Sequence, residues 1–235
     1  MTTADADAEV EVGALLLDLD GTLVDSSAVV ERHWRRFARR HRLDAEPILA
    51  VCHGRRSADT IAEVASHLDV EREAALLDAA EELDVDGLAA VSGAGGLLAR
   101  LSAARWAVVT SGHRALARRR LAATGLPAPT VMVCGDEVER GKPDPEGFLR
   151  AARLLGVEPT ACVVVEDAPA GVAAGRAAGA LVIGVTTTHP AAALAGADAV
   201  VDSLVGLEQA LATLGRRLPE PPGVLNGPAR GALGA

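Results

Sequence analysis

The sequence contains few aromatic residues, and this scarcity argues against several kinds of binding protein. Among its 235 residues there is no tyrosine, and aromatic residues make up only 2%. Proteins that bind single-stranded nucleic acids usually stack the bases on aromatic side chains. The formal net charge of −9 also disfavours nucleic acids and anionic membranes as partners. We therefore expect no nucleic acid and no membrane among its partners.

Long apolar runs and paired cysteines are also missing. No stretch reaches the roughly 20 apolar residues that a membrane-spanning helix needs, and the opening MTTADADAEVEV does not resemble a signal peptide. Cys52, Cys134 and Cys162 lack CxxC spacing, so we expect small core residues rather than disulfides. These absences indicate a cytoplasmic protein. Its hydrophobic content of 49% is sufficient for a core of Ala, Val and Leu.

Two carboxylates stand two residues apart directly after an apolar run. Residues 14–17 are apolar throughout, as in a parallel strand buried on both faces, and Asp18 and Asp20 follow in the segment DLDGTLVDS. Ligands of open α/β sheets bind beyond the carboxyl ends of the strands, where this pair would lie. The pattern predicts a catalytic pair, although the same spacing also occurs in calcium loops and solvated turns.

A second strand-like run, WAVVTSG, ends in Thr110, Ser111 and Gly112. Hydroxyls and free backbone amides at the junction between a strand and a helix suit a phosphate group. The alternative is that Ser111 simply caps the following helix. This segment is therefore a candidate substrate-binding site.

Two further segments add charged groups. In GKPDP, two prolines stiffen the backbone and hold Lys142 on a rigid turn, although a single loop lysine is often only a solvated charge. The run CVVVED ends in Glu166 and Asp167. Carboxylates that converge on one sheet edge repel one another unless a cation lies between them, and an all-oxygen cluster suits Mg²⁺. The sequence therefore predicts magnesium as a cofactor.

In this order, the four segments resemble the motifs of the haloacid dehalogenase superfamily of phosphotransferases, over roughly residues 13–205. The resemblance implies that Asp18 is the nucleophile, that Asp20 is the general acid and base, and that Lys142 supplies positive charge beside them. Thr110, Ser111 and Gly112 would then bind the phosphoryl group. The implied metal ligands are the side chains of Asp18 and Asp167 and the backbone carbonyl of Asp20. Glu166 would be either a fourth ligand or a residue that contacts the ligands.

Helical patterns fill the segment between the first two strands, where members of this superfamily insert a helical cap. The expected fold is α/β, a Rossmann-like three-layer core around a parallel sheet with an inserted α-helical cap. The expected organisation is a core of residues 11–24 and 91–215, a cap of 25–90, and disordered ends of 1–10 and 216–235.

The cap segment HGRRS resembles the HGxR loop of glycerol-phosphate and 2-deoxyglucose-6-phosphate phosphatases. This resemblance makes His53, Arg55 and Arg56 candidate substrate-binding residues, with Arg56 over the substrate. The alternative is that both arginines are solvated loop charges, and His53 is equally compatible with a packing residue. Arg118–Arg120 lie on a predicted helix away from the strand ends, where we expect a solvated face.

The resemblance favours a Mg²⁺-dependent phosphatase that hydrolyses small sugar or polyol phosphates through an aspartyl-phosphate. One alternative is a sugar phosphomutase of the β-phosphoglucomutase type, but Val30 stands where those mutases carry a histidine. Another is a non-enzymatic receiver-like or silent binding domain. The expected partner is a small phosphorylated metabolite, and the expected state is a monomer or a weak homo-oligomer.

Overall fold

A six-stranded parallel sheet lies at the centre of the computed structural model, which describes residues 9–219. Its strand order is β6-β5-β2-β7-β8-β9. The strands are β2 (Ala14–Leu17), β5 (Trp106–Val109), β6 (Val131–Val133), β7 (Cys162–Glu166), β8 (Leu181–Val185) and β9 (Ala199–Val201). Each pairs in parallel with its neighbour, which brings all the carboxyl ends to one edge.

Alternate side chains of β2 enter two different apolar layers. Leu15 and Leu17 belong to one core cluster, whereas Ala14 and Leu16 belong to the other. All four are fully or almost fully buried, which explains why this strand reads as a continuous apolar run. Helices cover both faces of the sheet, so the expected three-layer α/β core is confirmed.

Nine α-helices occur within residues 9–219. They are α1 (Ser27–His41), α2 (Ala45–Cys52), α3 (Ser57–Val64), α4 (Val70–Leu83), α5 (Ala94–Arg100), α6 (Arg114–Ala123), α7 (Glu146–Leu155), α8 (Pro169–Ala177) and α9 (Leu207–Thr213). The first four follow one another between β2 and β5 and share an apolar cluster of their own, which includes Trp34, Phe37, Ile48 and Ile61. These four helices form the cap.

Two short antiparallel strands connect the cap to the core. They are β3 (Val24–Asp25), before α1, and β4 (Ala89–Ala90), after α4. Val24 is buried, and its amide donates to the carbonyl of Leu19 at 2.8 Å. Both crossings of the chain between cap and core therefore lie side by side, close to the end of β2.

The ends of the described chain differ from the expectation of disorder. The strands β1 (Val10–Glu11) and β10 (Arg216–Arg217) pair in parallel, although both ranges touch or enter segments expected to be disordered. An ion pair of 2.9 Å between Arg217 and Glu11 supports the pairing. The expectation was wrong for these residues because two-residue strands carry no detectable periodicity. The rest of both expected ends, residues 1–8 and 220–235, lies outside the described residues.

The cysteines agree with the expectation of small core residues. The three cysteines are buried and unpaired. Within residues 9–219, no helix combines the length and the apolar character needed to cross a membrane.

Candidate active site

Asp18 directly follows β2 and is buried at the carboxyl edge of the sheet, with 2% of its surface exposed. Its amide donates to the carbonyl of Val165 at 3.0 Å, which fixes the backbone against β7. Gly21 then turns the chain with φ 86°, and a side chain there would collide with the Asp167 carboxylate. The glycine of the DxDG segment is therefore required both by its conformation and by this close approach.

Lys142 connects three strand ends through its ammonium group. Its Nζ lies 2.5 Å from Oδ1 of Asp18 and 2.6 Å from Oε1 of Glu166, and donates to the carbonyl of Val109 at 2.9 Å. The side chain is buried, so this is not a solvated charge. Lys142 is also the only lysine of the sequence, a signal that the sequence analysis did not use.

Glu166 uses both of its carboxylate oxygens in contacts with the protein. Oε1 faces Lys142, and Oε2 accepts from the amides of Asp167 and Ala168 at 3.1 and 3.3 Å. Oδ2 of Asp167 accepts from the hydroxyl of Thr188, a residue that the sequence analysis missed because its loop follows β8 without a recognisable motif. Glu166 is thus anchored, whereas Asp167 is held by only one of its two oxygens.

Two buried carboxylate oxygens have no hydrogen-bond partner among the described residues, Oδ2 of Asp18 and Oδ1 of Asp167. Oxygens of Asp18, Glu166 and Asp167 all lie within 4.8 Å of one another. Three carboxylates face a single ammonium group here, so the cluster carries an excess of negative charge. Partnerless carboxylate oxygens in such a cluster fit a hard divalent cation such as Mg²⁺.

The same cluster shifts the pKa values of its carboxyl groups. Burial raises the pKa of Asp18 to about 8, against the opposing attraction of Lys142, and Glu166 and Asp20 raise it further. Burial also raises the pKa of Asp167, with Asp18 and Glu166 adding to the shift. A bound cation would counteract both shifts, because it favours the ionised carboxylates.

Thr110, Ser111 and Gly112 line a cavity together with Asp18 and Asp20. Oγ1 of Thr110 accepts from the amide of Gly112 at 3.1 Å, and the hydroxyl of Ser111 donates to the cap carbonyl of Gly54 at 2.9 Å. Ser111 is not the cap of the following helix, since α6 has His113 at its N-cap. In this conformation the Ser111 hydroxyl contacts the cap loop.

The cap loop places its candidate residues in different positions. His53 and Arg55 line the cavity with the two aspartates, whereas Arg56 does not. Arg56 pairs with Asp59, and its Nη1 donates at 3.3 Å to two backbone carbonyls of the core, at residues 138 and 139. The Arg56 side chain turns toward the loop after β6 in this structure, and its place over the substrate stays a prediction.

Arg120 lies in the cavity, and its expected place on a solvated face was wrong. Only 3% of its surface is exposed. Its Nη1 lies 2.5 Å from Oδ1 of Asp20, and its Nη2 donates to Oε2 of Glu81 at 2.8 Å. Arg120 stands four residues after the buried Leu116, so the two side chains share one face of α6, and this helical spacing could have indicated that Arg120 points inward. Arg118 and Arg119 are exposed.

Helix α4 supplies two acidic residues to the cavity that the sequence analysis missed, Asp78 and Glu81. Burial raises the pKa of Glu81 to about 7, although Arg120 opposes the shift. Asp78 accepts from the Ser57 hydroxyl at 2.5 Å. Carboxylates and a guanidinium suit a substrate that carries several hydroxyl groups beside its reacting group.

Comparisons with known proteins show the family of this chain. The chain matches the model of the haloacid dehalogenase-like hydrolase family over residues 12–179. It is 45% identical to hexitol phosphatase A of Escherichia coli (strain K12) over 194 residues, which cover 80% of this chain and 90% of the relative. It is 35% identical to glycerol-1-phosphate phosphohydrolase 2 of Saccharomyces cerevisiae over 193 residues, 76% of either chain.

A solved structure described as a hydrolase from Pseudomonas syringae has the same fold. It matches with a TM-score of 0.78 and 28% identity, over 86% of this chain and 98% of that one. Together with the relatives, it confirms the resemblance found in the sequence.

Proposed function

Because the chain belongs to the haloacid dehalogenase-like hydrolase family and is a phosphoric monoester hydrolase, we propose that it hydrolyses small polyol or sugar phosphates. Its relatives named for hexitol and glycerol phosphates support this substrate class. The observation that carries the proposal is the buried cluster of Asp18, Lys142, Glu166 and Asp167, with two free carboxylate oxygens.

In the proposed reaction, Asp18 attacks the phosphorus atom and forms an aspartyl-phosphate. Lys142 reduces the repulsion between the two anions, because its ammonium group lies 2.5 Å from the Asp18 carboxylate. Glu166 holds the lysine in this position through its own ion pair. Thr110 and the backbone of Ser111 would orient the phosphoryl oxygens at the mouth of the cluster.

Asp20 exchanges the proton in both halves of the proposed reaction. It donates to the departing ester oxygen and then accepts a proton from the water that hydrolyses the aspartyl-phosphate. Its side chain is 22% exposed, unlike that of Asp18 with 3%, so it lies nearer to an entering leaving group. The two aspartates therefore have separate roles that follow from their positions.

Mg²⁺ would be held by Asp18 and Asp167, each of which has one carboxylate oxygen without a partner, and would neutralise charge on the phosphoryl group. The backbone carbonyl of Asp20 is the further ligand that the family resemblance implies. Glu166 is best placed as an anchor for Lys142 and the strand-end loop, since both of its oxygens are already engaged.

Release of inorganic phosphate from a panel of hexitol, glycerol and hexose phosphates tests the proposal, with Mg²⁺ and with EDTA. We expect turnover with Mg²⁺, none with EDTA, and none in the nearly isosteric Asp18→Asn variant. Interconversion of hexose phosphate isomers without phosphate release would instead establish the mutase. Full activity of Asp18→Asn, or in EDTA, would refute the proposed nucleophile or metal.

A further inference from the structure

Arg120 contacts both the core and the cap from a buried position. It belongs to the core helix α6, Asp20 follows the core strand β2, and Glu81 belongs to the cap helix α4. The guanidinium lies between the two carboxylates, 2.5 Å from Asp20 and 2.8 Å from Glu81. Because all three groups line one cavity, this pairing is part of the active site's wall.

The contacts of Asp20 are confined to one of its oxygens. Oδ1 lies beside Arg120 and also accepts from the Ser26 hydroxyl at 2.8 Å. Among the described residues no hydrogen bond reaches Oδ2, and that oxygen is left for proton exchange. A carboxylate held through one oxygen by an ion pair and a hydroxyl donor has a fixed orientation, which a proton donor needs.

The pairing also links the orientation of Asp20 to the position of the cap. A buried guanidinium strongly favours full pairing, because an unpaired charge is costly away from water. Arg120 meets both partners only while α4 packs against α6, as it does in this structure. Displacement of the cap would remove Glu81 from Arg120 and leave the guanidinium with Asp20 alone.

We propose that Arg120 is a positioning residue that orients the Asp20 carboxylate toward the leaving group when the cap is docked, with Glu81 as its cap-side partner. The inference rests on the proposed function, in which Asp20 protonates the ester oxygen. Arg120 acts through Asp20, so its removal matters most where protonation of the leaving group matters most.

The test measures kcat/KM for Arg120→Met across aryl and alkyl phosphates, from 4-nitrophenyl phosphate to glycerol phosphate. This parameter reports the transfer to Asp18 and is independent of the later hydrolysis step. We expect a fall of about 100-fold on the alkyl ester and less than about tenfold on the nitrophenyl ester, whose leaving group needs no proton. Arg119→Met is the matched control, because Arg119 is the exposed neighbour of Arg120 on the same helix.

A double-mutant cycle with Asp20→Asn separates the inference from the proposed function. If Arg120 acts through Asp20, adding Arg120→Met to Asp20→Asn lowers kcat/KM by less than about twofold. Equal losses on both esters in Arg120→Met, or full additivity with Asp20→Asn, would overturn the positioning role and indicate direct binding of the phosphoryl group. Absence of leaving-group dependence in Asp20→Asn alone would instead refute the proposed role of Asp20.

Loss of Arg120 leaves Glu81 buried without its partner, so Arg120→Met has a companion variant in which Glu81→Met is added. Replacing both members of a buried ion pair by apolar residues is tolerated better than removing one. The double variant should fold and show the same leaving-group dependence as Arg120→Met. If it folds and cleaves glycerol phosphate as fast as the wild type, Arg120 has no positioning role.

Discussion

Gly171 allows helix α8 to pass directly over Glu166, and Gly171→Ala tests how much the cluster depends on this approach. A methyl group at this position would overlap the Glu166 carboxyl group at a distance that real Cβ atoms never show. The carboxyl group would have to move by more than an ångström. It would then leave its 2.6 Å contact with Lys142 and its hydrogen bonds to the amides of Asp167 and Ala168.

The magnitude follows from two opposing effects. Alanine is favoured over glycine within a helix by about 1 kcal/mol. Removing one partner from a buried ion pair costs about 3–5 kcal/mol. We expect a net loss of roughly 2–4 kcal/mol, and a thermal midpoint lower by roughly 5–15 °C. Misplacement of a residue that supports a metal site typically lowers metal affinity or activity by about 10–100-fold.

Phosphate release as a function of Mg²⁺ concentration and thermal unfolding measure both effects on the same preparations. Gly96→Ala is the matched control, because Gly96 also lies within a helix, α5, and a Cβ there meets nothing within 4 Å. The control should be as active as the wild type and slightly more stable. If Gly171→Ala behaves like Gly96→Ala, the anchoring of Glu166 is not needed for the site.

Three further predictions concern charged residues. Lys142→Met leaves buried carboxylates without their cation, so we expect loss of activity and a loss of about 3–5 kcal/mol of stability. Denaturation with and without Mg²⁺ measures the change in stability. An unchanged stability would contradict the stabilising role of the Lys142 ion pairs. Burial raises the pKa of Glu81 from 4.5 to about 7, so the unfolded chain loses this proton first and stability falls as the pH rises between these values. Glu81→Gln should remove that fall of about 3 kcal/mol in the free energy of unfolding. Urea denaturation from pH 4 to 8 measures it. Parallel plots of unfolding free energy against pH for the wild type and the variant would contradict the raised pKa. Arg56→Ala should lower kcat/KM on glycerol phosphate and on 4-nitrophenyl phosphate by a similar factor, below about tenfold, because Arg56 binds core carbonyls. A loss confined to glycerol phosphate would instead support a role of Arg56 in substrate binding.

Local patterns were sufficient to predict the elements that carry the chemistry. The apolar run at residues 14–17 located β2 at its observed bounds, because a strand buried on both faces must be apolar throughout. The acidic residues at the carboxyl ends of β2 and β7 followed from the same patterns. Their meeting at one edge needed only the rule that consecutive strands joined by helices run parallel.

The cap residues were less predictable, because their roles depend on where a side chain turns after the helices have packed. Adjacent Arg55 and Arg56 have the same local sequence context, yet one lines the cavity and the other binds the core loop at residues 138 and 139. The sequence contains no periodicity that distinguishes them.

The sequence by itself determined the parallel core, the place of the inserted cap and the order of the acidic, hydroxyl and lysine groups along the sheet edge. These features depend on hydrophobic period and on strand ends, which are local properties. Only the tertiary structure decided that Arg120 is buried between Asp20 and Glu81, and that Thr188 supports Asp167. Such contacts join residues far apart in the chain, and their geometry exists only after α4 has packed against α6 and the loop after β8 has reached the edge of the sheet.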